Sequence, residues 1–522
     1  MRLTRRQLIT GVARAGGYGA AFATMHAMGL LAPAVRGDQA FDIPPDAGKN
    51  TKVVIHGAGI AGLVSAHEMR KAGFDCTVLE ARARPGGRNW TIRGGTKVEF
   101  TDGTLQECGF DPGLYFNAGP ARLPAIYPTI PGYCRELGIP LEVELNTCRS
   151  TLLQCDGTFG GKPVELRAAI NDTRGQVSEL LAKAIQKGGL DQEITAEDKQ
   201  RMLAFLEEYG SLDTSYLYRG SDRAGVSQLG GAGDVIEKVR EPLPMHALLD
   251  SDFWSGMLFE EELDQQATMF QPVGGMDRIP YAFAKALGTI VKFSSPVKEI
   301  RKTAKGVRIV YSDGEGGSTQ AIEADYCICC LPLTILQKTP NDFSQRVTSA
   351  IAPLKYDAAY KIGWESPRFW ERDYHIYGGI SFLTRSPISK VWYPSASLFS
   401  EKGILLSGYD FNGDLLKDYA TLGAKFAASR AAVERLHPGH GQDLQKPLYV
   451  AWAQIPYNLG GWISIENLTH GYYAGPYREL IVPDDRIFFA GDHCSHMVGW
   501  QEGAALSAQR AIGMIVEHMK QA

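Results

Sequence analysis

An α/β fold is predicted by three observations that follow one another between Lys52 and Glu80: a β-branched run, a glycine-rich turn, and a helix leading to a second strand that ends on an acid. Lys52-Val53-Val54-Ile55-His56 is the first strand, and it runs straight into Gly57-Ala58-Gly59-Ile60-Ala61-Gly62. From Leu63 the chain reads as a helix, with Gly73 just past its end, where a left-handed residue commonly closes a helix. Cys76-Thr77-Val78-Leu79 is the second strand, and Glu80 stands at its C-terminal end. In such a unit Gly57 permits the tight turn, Gly59 lets backbone approach a pyrophosphate, and Gly62 lets the helix pack on the sheet. Ile60 and Ala61 begin a helix whose free N–H groups and positive dipole end face the phosphates. Glu80 is placed to accept both hydroxyls of an adenosine ribose, and its charge repels a 2′-phosphate, which disfavours NADP.

At 522 residues the chain is too long for one core, so two or three domains are expected. Hydrophobic residues make up 44% and charged residues 21%, a globular balance. The formal charge of -4 and the lack of any basic-aromatic stripe exclude nucleic acid as a partner. The nine cysteines show no metal spacing with histidine, and no metal is expected. Cys327, Cys329 and Cys330 sit in an apolar run and read as core strand residues, the alternative being a redox role. Thr4-Arg5-Arg6-Gln7-Leu8-Ile9, the Gly/Ala-rich stretch after it and Ala32-Pro33-Ala34 resemble a twin-arginine export signal over residues 1–36. That reading places the protein in the periplasm or outside the cell. The alternative, a retained amphipathic helix, leaves it cytoplasmic. No other stretch reaches the roughly 18 apolar residues of a membrane span.

Glu80-Ala81-Arg82-Ala83-Arg84-Pro85-Gly86-Gly87-Arg88 matches E-x-x-x-R-x-G-G-R and resembles the flavin-containing amine oxidase superfamily. Two arginines and a glycine pair supply cations and close backbone approach beside a second phosphate, and the resemblance implies that Arg88 meets the pyrophosphate of FAD. Arg486-Ile487-Phe488-Phe489-Ala490-Gly491-Asp492-His493 resembles the superfamily's last strand, which implies that Gly491 and Asp492 reach the ribityl chain. A small-residue helix opening at Gly499-Trp500-Gln501 then points its positive end at the flavin ring. Gln271 to Asp277 resembles the central return segment, and the Val297 backbone is implied to meet the adenine. Ala81, Arg82, Gly87 and the stretch Gly119-Pro120-Ala121 complete the expected FAD contacts. No cysteine lies between Gly460 and Leu480, where covalent relatives hold theirs, so FAD is expected to bind non-covalently.

The implied architecture is a Rossmann-like FAD-binding domain (50–125, 270–335 and 480–522) interleaved with a mixed-sheet substrate domain (126–163, 245–269 and 336–479) and a helical insertion (164–244). Within the insertion, Val177, Leu180, Leu181, Ala184 and Ile185 recur as one apolar helix face.

Gly119-Pro120-Ala121-Arg122-Leu123-Pro124 resembles the G-P-x-R-L-P segment of L-amino-acid oxidases, which implies that Arg122 grips a substrate carboxylate. The alternative is an arginine paired with an internal acid. By the same resemblance Tyr393 helps to hold the carboxylate, Lys361 lies near flavin N5 through water, and Gly499 and Trp500 offer a carbonyl and an aromatic wall. Trp452, Tyr457 and Trp462 read either as further walls or as core, and Tyr218 to Gly225 as a loop over the substrate entrance. The implied activity is hydride transfer from Cα of an L-amino acid to flavin N5. Imine hydrolysis gives a 2-oxo acid and ammonia, and O2 is reduced to hydrogen peroxide. Open alternatives are an amide-forming 2-monooxygenase, an oxidase of simple amines and a non-catalytic flavoprotein. A homo-oligomer, most simply a dimer, is expected.

Overall fold

Five parallel strands carry the glycine turn, and the apolar runs around it explain why. In the computed structural model, which describes residues 41–314, 316–411 and 417–521, strands Val291–Lys292, Asp75–Leu79, Lys52–His56, Tyr326–Cys329 and Ile487–Phe489 lie side by side in that order. The predicted export segment lies outside the described residues. Val53 pairs with both Cys76 and Tyr326, and Cys327 with Ile487. A parallel sheet covered on both faces needs side chains apolar on both faces. Val53 to Ile55, Cys327 to Cys329 and Ile487 to Phe489 meet that need, all being buried. Cys327 and Cys329 therefore sit in the sheet core, and all nine cysteines are free thiols.

Helix Ile60–Lys71 makes the crossover between the first two strands, and the C-terminal helix Gln501–Gln521 packs against it. The close approach of turn and helix is a glycine requirement: a Cβ on Gly62 would lie 1.9 Å from the Gly57 carbonyl oxygen. Residues Pro44–Ala522 form one compact unit. Among the described residues no helix is long and apolar enough to cross a membrane.

A second, mixed sheet of seven strands runs in the order Val164–Glu165, Leu152–Cys155, Ile380–Thr384, Lys390–Trp392, Lys402–Asp410, Tyr360–Pro367 and Gln445–Ala451. Its pairs are antiparallel except for Ile380–Thr384 on Leu152–Cys155. Helix Leu422–Leu436 is pinned to it by hydrogen bonds from Trp364 Nε1 to Ser429 Oγ (2.8 Å) and from Ser407 Oγ to the Ser429 carbonyl (2.7 Å).

The insertion contains helices Leu166–Gln186 and Ala196–Gly210, the latter capped by Thr195, whose side chain accepts from Asp198 N. Here the expected apolar stripe is corrected. The first helix buries Ala168, Ala169, Asp172, Gly175, Ser178, Ala182 and Ile185, whereas Val177 and Leu180 are exposed and Leu181 and Ala184 half-buried. Small residues win the packed face because neighbours come too close for larger ones. A Cβ on Gly175 would meet the Tyr218 ring at 2.3 Å, and one on Gly210 the Ser178 side chain at 2.4 Å. Tyr218 is thereby part of the insertion's own core, its hydroxyl donating to buried Asp172 at 2.7 Å, rather than part of a loop over the main cavity.

Replacing Gly62 by Ala forces the helix away from the turn. We expect a loss of about 1–3 kcal/mol in urea unfolding, together with lower flavin content of the purified protein.

Candidate active site

A cavity of about 570 Å3 runs from the glycine turn to the inner face of the seven-stranded sheet. At its nucleotide end Gly57 has φ +90°, and a Cβ on Gly59 would meet no protein atom within 4 Å, so it would project into the cavity itself. Bare backbone is thus presented where a phosphate chain could lie. Glu80 is buried, and its two carboxylate oxygens accept from Ala58 N (2.8 Å) and Arg82 N (2.9 Å). The remaining lone pairs stay available to hydroxyls. Arg82 donates to the Pro456 carbonyl and to Asn458, which fastens the loop to the far side of the site.

Arg84 is a correction. It does not line the cavity, but donates to the Pro85 and Gly87 carbonyls (3.2 and 3.1 Å) and lies over the Trp90 ring at 4.4 Å. It braces the loop that presents Gly87 and Arg88.

Arg88 spans to the other end of the chain. It donates to both carboxylate oxygens of Asp492, one of them at 3.0 Å, and to the Gly461 carbonyl at 2.5 Å. Asp492 also accepts from Gly499 N at 3.0 Å. Burial works against its charge, yet the Arg88 guanidinium outweighs burial and holds the carboxyl below the usual carboxylate range. Next to it His493 lines the cavity with both ring nitrogens buried and unpartnered, and burial pushes it down to about 4, so it is neutral at pH 7. Gln501, at the start of the last helix, accepts from Asn89 Nδ2.

The other end is built on the carbonyls of Asn117, Ala118 and Gly119. Lys361 Nζ donates to Asn117 O (2.8 Å) and Gly119 O (2.6 Å), and Trp452 Nε1 to Ala118 O (2.9 Å). A Cβ on Gly119 would fall 1.9 Å from the Arg88 carbonyl oxygen, so this segment lies directly on the Arg88 loop. Lys361 is 3% exposed, between the rings of Trp392 (5.3 Å) and Tyr409 (4.9 Å). Burial and then repulsion from Arg122, against attraction by Glu144, bring its amine down to about 7. Arg122 is 8% exposed, with its guanidinium 4.6 Å from the Trp392 ring and 5.5 Å from that of Phe259. Its hydrogen-bond partner is the neutral amide of Asn146, not an internal carboxylate.

The cavity therefore gathers Gly57, Gly59, Ile60, Ala61, Glu80, Ala81, Arg82, Gly87, Arg88, Gly119, Pro120, Ala121, Arg122, Lys361, Gly491, Asp492, Gly499, Trp500 and Gln501. Three expected residues do not line it. Gly62 serves helix packing, as above. Val297 opens an antiparallel ladder, opposite Tyr311, just after Ser294 and Ser295, whose backbone N–H groups donate to the Arg82 and Glu80 carbonyls (2.9 and 2.7 Å). Tyr393 is the third: its hydroxyl bonds Ser381 Oγ (2.8 Å) and His437 Nε2 (2.6 Å) beneath the sheet. The reason is strand parity, because successive side chains point to opposite faces. Lys390 and Trp392 face the cavity, so their neighbour Tyr393 faces away.

Trp392, Tyr409, Phe411, Phe259 and Phe382 were missed as cavity walls, with Trp452, Tyr457 and Trp462 beside them. The alternation around Tyr393 was the one available signal. Glu262, Asp264 and Gln265 stand at the rim.

The family model described as flavin containing amine oxidoreductase matches residues 60–512. The chain belongs to that family, and a flavin is its cofactor. It is similar to a putative L-amino-acid oxidase, YobN, of Bacillus subtilis, 26% identical over 486 residues covering 88% of this chain and 93% of the relative. An L-amino-acid oxidase of Siganus canaliculatus is 28% identical over 488 residues, 90% of this chain and 85% of the relative. Among solved structures, wild-type putrescine oxidase bound to putrescine superposes with a TM-score of 0.59 at 17% identity, covering 90% of this chain and 99% of that one. Cyclohexylamine oxidase from Brevibacterium oxydans gives 0.59 at 16% identity over the same shares, 90% and 99%. These structural likenesses establish the fold, a Rossmann-like FAD-binding domain joined to a mixed-sheet domain.

Asp492→Asn leaves the half-buried Arg88 guanidinium beside a neutral amide, and we expect a loss of about 1–3 kcal/mol, less than for a fully buried pair. Because the Asp492 carboxyl is depressed in the folded state, its contribution is present above the unfolded value of about 4 and lost as pH falls through the folded one. Urea unfolding between pH 7 and pH 3 should therefore be steeper in pH for the wild type than for the variant.

Proposed function

We propose that the protein binds FAD non-covalently and oxidises L-α-amino acids to 2-oxo acids, releasing ammonia and hydrogen peroxide. The carrying observation is Arg122, a buried guanidinium in the cavity wall whose hydrogen-bonding partner is a neutral amide. A cation left without a contacting acid in an aromatic enclosure has a reason to be there if an anionic group completes it. An α-carboxylate, taken by the planar fork, is such a group and separates an amino acid from a simple amine. The amino-acid oxidases among the relatives support the same reading.

FAD fits the residues present. The open backbone at Gly59 suits a pyrophosphate, Glu80 a ribose, and the Asp492 to Gln501 corner a polar chain and ring edge. When bound, FAD supplies the two-electron acceptor that O2 later reoxidises. Cys330 lines the cavity at the nucleotide end, beside Gly57, and Cys494 does not line it, which supports a non-covalent attachment.

The chain's own residues then divide the work. Arg122 fixes the carboxylate, and the Trp392, Tyr409, Phe382 and Phe411 rings exclude water from the carbon that gives up its hydride. Lys361, with an amine brought down to about 7, can hold or release a proton at Nζ while bonded to two carbonyls. The Thr4–Ile9 segment supports export of the folded, flavin-loaded protein by the twin-arginine route.

Arg122→Met tests the reading. We expect kcat/KM for amino acids to fall roughly 30- to 1,000-fold, the size of losing one partner of a buried charge pair, with normal flavin absorbance per protein. Unchanged kinetics would remove the carboxylate role. Identification of the organic product as 2-oxo acid or amide separates the oxidase from the monooxygenase.

A further inference from the structure

Behind Trp392 lies a second, smaller cavity of about 80 Å3. Its lining joins the exposed residues Gly113 and Ser397 with the buried residues Gln271, Arg368, Trp392 and Glu144. Trp392 and Ala121 are walls of both cavities. A single water needs roughly 10–15 Å3 of such space, so the cavity has room for solvent.

Glu144 closes strand Leu141–Glu144, opposite Met269, and is 3% exposed. Neither of its carboxylate oxygens has a partner of hydrogen-bond geometry, the nearby Trp392 indole included. A buried carboxylate without hydrogen bonds is costly unless charges balance it. The charges that act on it are Arg122, from the segment before Leu123, and Lys361, from strand Tyr360–Pro367. The other ionic groups along the passage are engaged elsewhere: Arg368 pairs with Glu371, and Lys402 with Asp111 and Glu365. Glu142, on Glu144's own strand, accepts from Gln271 at 3.0 Å, and Tyr393 turns its hydroxyl to Ser381 and His437.

We propose that Glu144 is the ionisable counter-charge of Arg122, and that binding of a carboxylate at Arg122 is coupled to uptake of one proton by Glu144 through the Gly113–Ser397 passage. This rests on the carboxylate reading of Arg122 given above. In the free protein the one anion, Glu144, faces the fixed Arg122 cation and the adjustable Lys361 amine. An arriving carboxylate supplies a second anion beside the same guanidinium, and like charges in a low-dielectric enclosure favour protonation of the one that lacks hydrogen bonds. The proton comes from solvent onto a Glu144 oxygen and returns to solvent when the carboxylate leaves. Burial already lifts Glu144 to about 7, against the pull of Arg122, the Trp392 indole and Lys361. Coupling therefore falls within the range where the protein can be handled.

The test is calorimetric titration of the FAD-loaded protein with benzoate, a carboxylate without an amine, at pH 8 in buffers of different ionisation heat. The wild type should take up about one proton per benzoate, and its Kd should rise about tenfold per pH unit above the free value of Glu144. Glu144→Gln should bind benzoate with no uptake and a flat pH dependence, whereas Lys361→Met should keep the uptake. Uptake that persists in Glu144→Gln, or vanishes in Lys361→Met, overturns the assignment to Glu144. If Glu144→Gln cannot be purified with flavin, the wild type still decides, since benzoate binding without proton uptake between pH 6.5 and 9 overturns the coupling. Failure of benzoate to bind at all overturns the carboxylate reading of Arg122, and this inference with it.

Discussion

The site depends on one ion pair, the buried Asp492 carboxylate with the half-buried Arg88 guanidinium. Arg88 and Asp492 lie 404 positions apart in the chain, and their contact joins the loop after the second strand to the corner before the last helix. A salt bridge in this position is weak evidence for net stability, because desolvation takes back much of what attraction supplies. Its value is geometric. Arg88 also holds the Gly461 carbonyl, and Asp492 the Gly499 amide, so four segments are brought into one register around a shared charge. Gly119 then rests on the Arg88 carbonyl, and the carbonyl row that Lys361 and Trp452 grip follows from it. Moving the pair moves the floor of the substrate end.

How much of this was legible in the sequence depended on which part of the chain speaks. The nucleotide end is backbone chemistry over consecutive residues, so Gly57, Gly59, Gly62 and Glu80 could be placed from spacing alone. The substrate end is one face of a sheet whose strands come from distant stretches, and a face is set by parity. Tyr393 and Trp392 differ by one residue, and that one step exchanges a cavity wall for a residue bonded beneath the sheet. Glu144 carried no local signal: a strand-end acid looks the same whether it meets solvent or a buried arginine. In the insertion, Val177 and Leu180 follow helical periodicity, but Gly175 and Ser178 show that interhelical distance, not hydrophobicity, chose the buried face.

Lys361 and Arg122 raise a physical question. Two basic side chains share a wall made largely of aromatic rings, and the Arg122 charge lowers the proton affinity of Lys361 in a region of low dielectric. A guanidinium does not release its proton under ordinary conditions, so the adjustment falls on the lysine. The ring faces of Trp392 and Tyr409 and the two carbonyls offset part of the cost of its charge, but burial still dominates. The result is a fixed positive charge at one point and an adjustable one a short distance away. A zwitterion suits that arrangement better than either a simple cation or a simple anion. Under the proposed amino-acid reading, its carboxylate would meet the charge that cannot change, and its amine, which must be neutral to be oxidised, would meet a lysine that need not repel it.

That arrangement also constrains Glu144. Without an anion nearby, Arg122 and Lys361 would be two uncompensated buried charges, and the neutral Asn146 amide would do little to support them. Placing the compensating carboxylate inside the cavity would block the guanidinium from a ligand. Behind Trp392 it acts through the electric field while the face of Arg122 that lines the cavity stays open. The absence of hydrogen bonds to Glu144 then has a physical use. A carboxylate held by several donors would stay ionised whatever arrived at Arg122, whereas an unheld one can be neutralised by a proton when another anion takes its place.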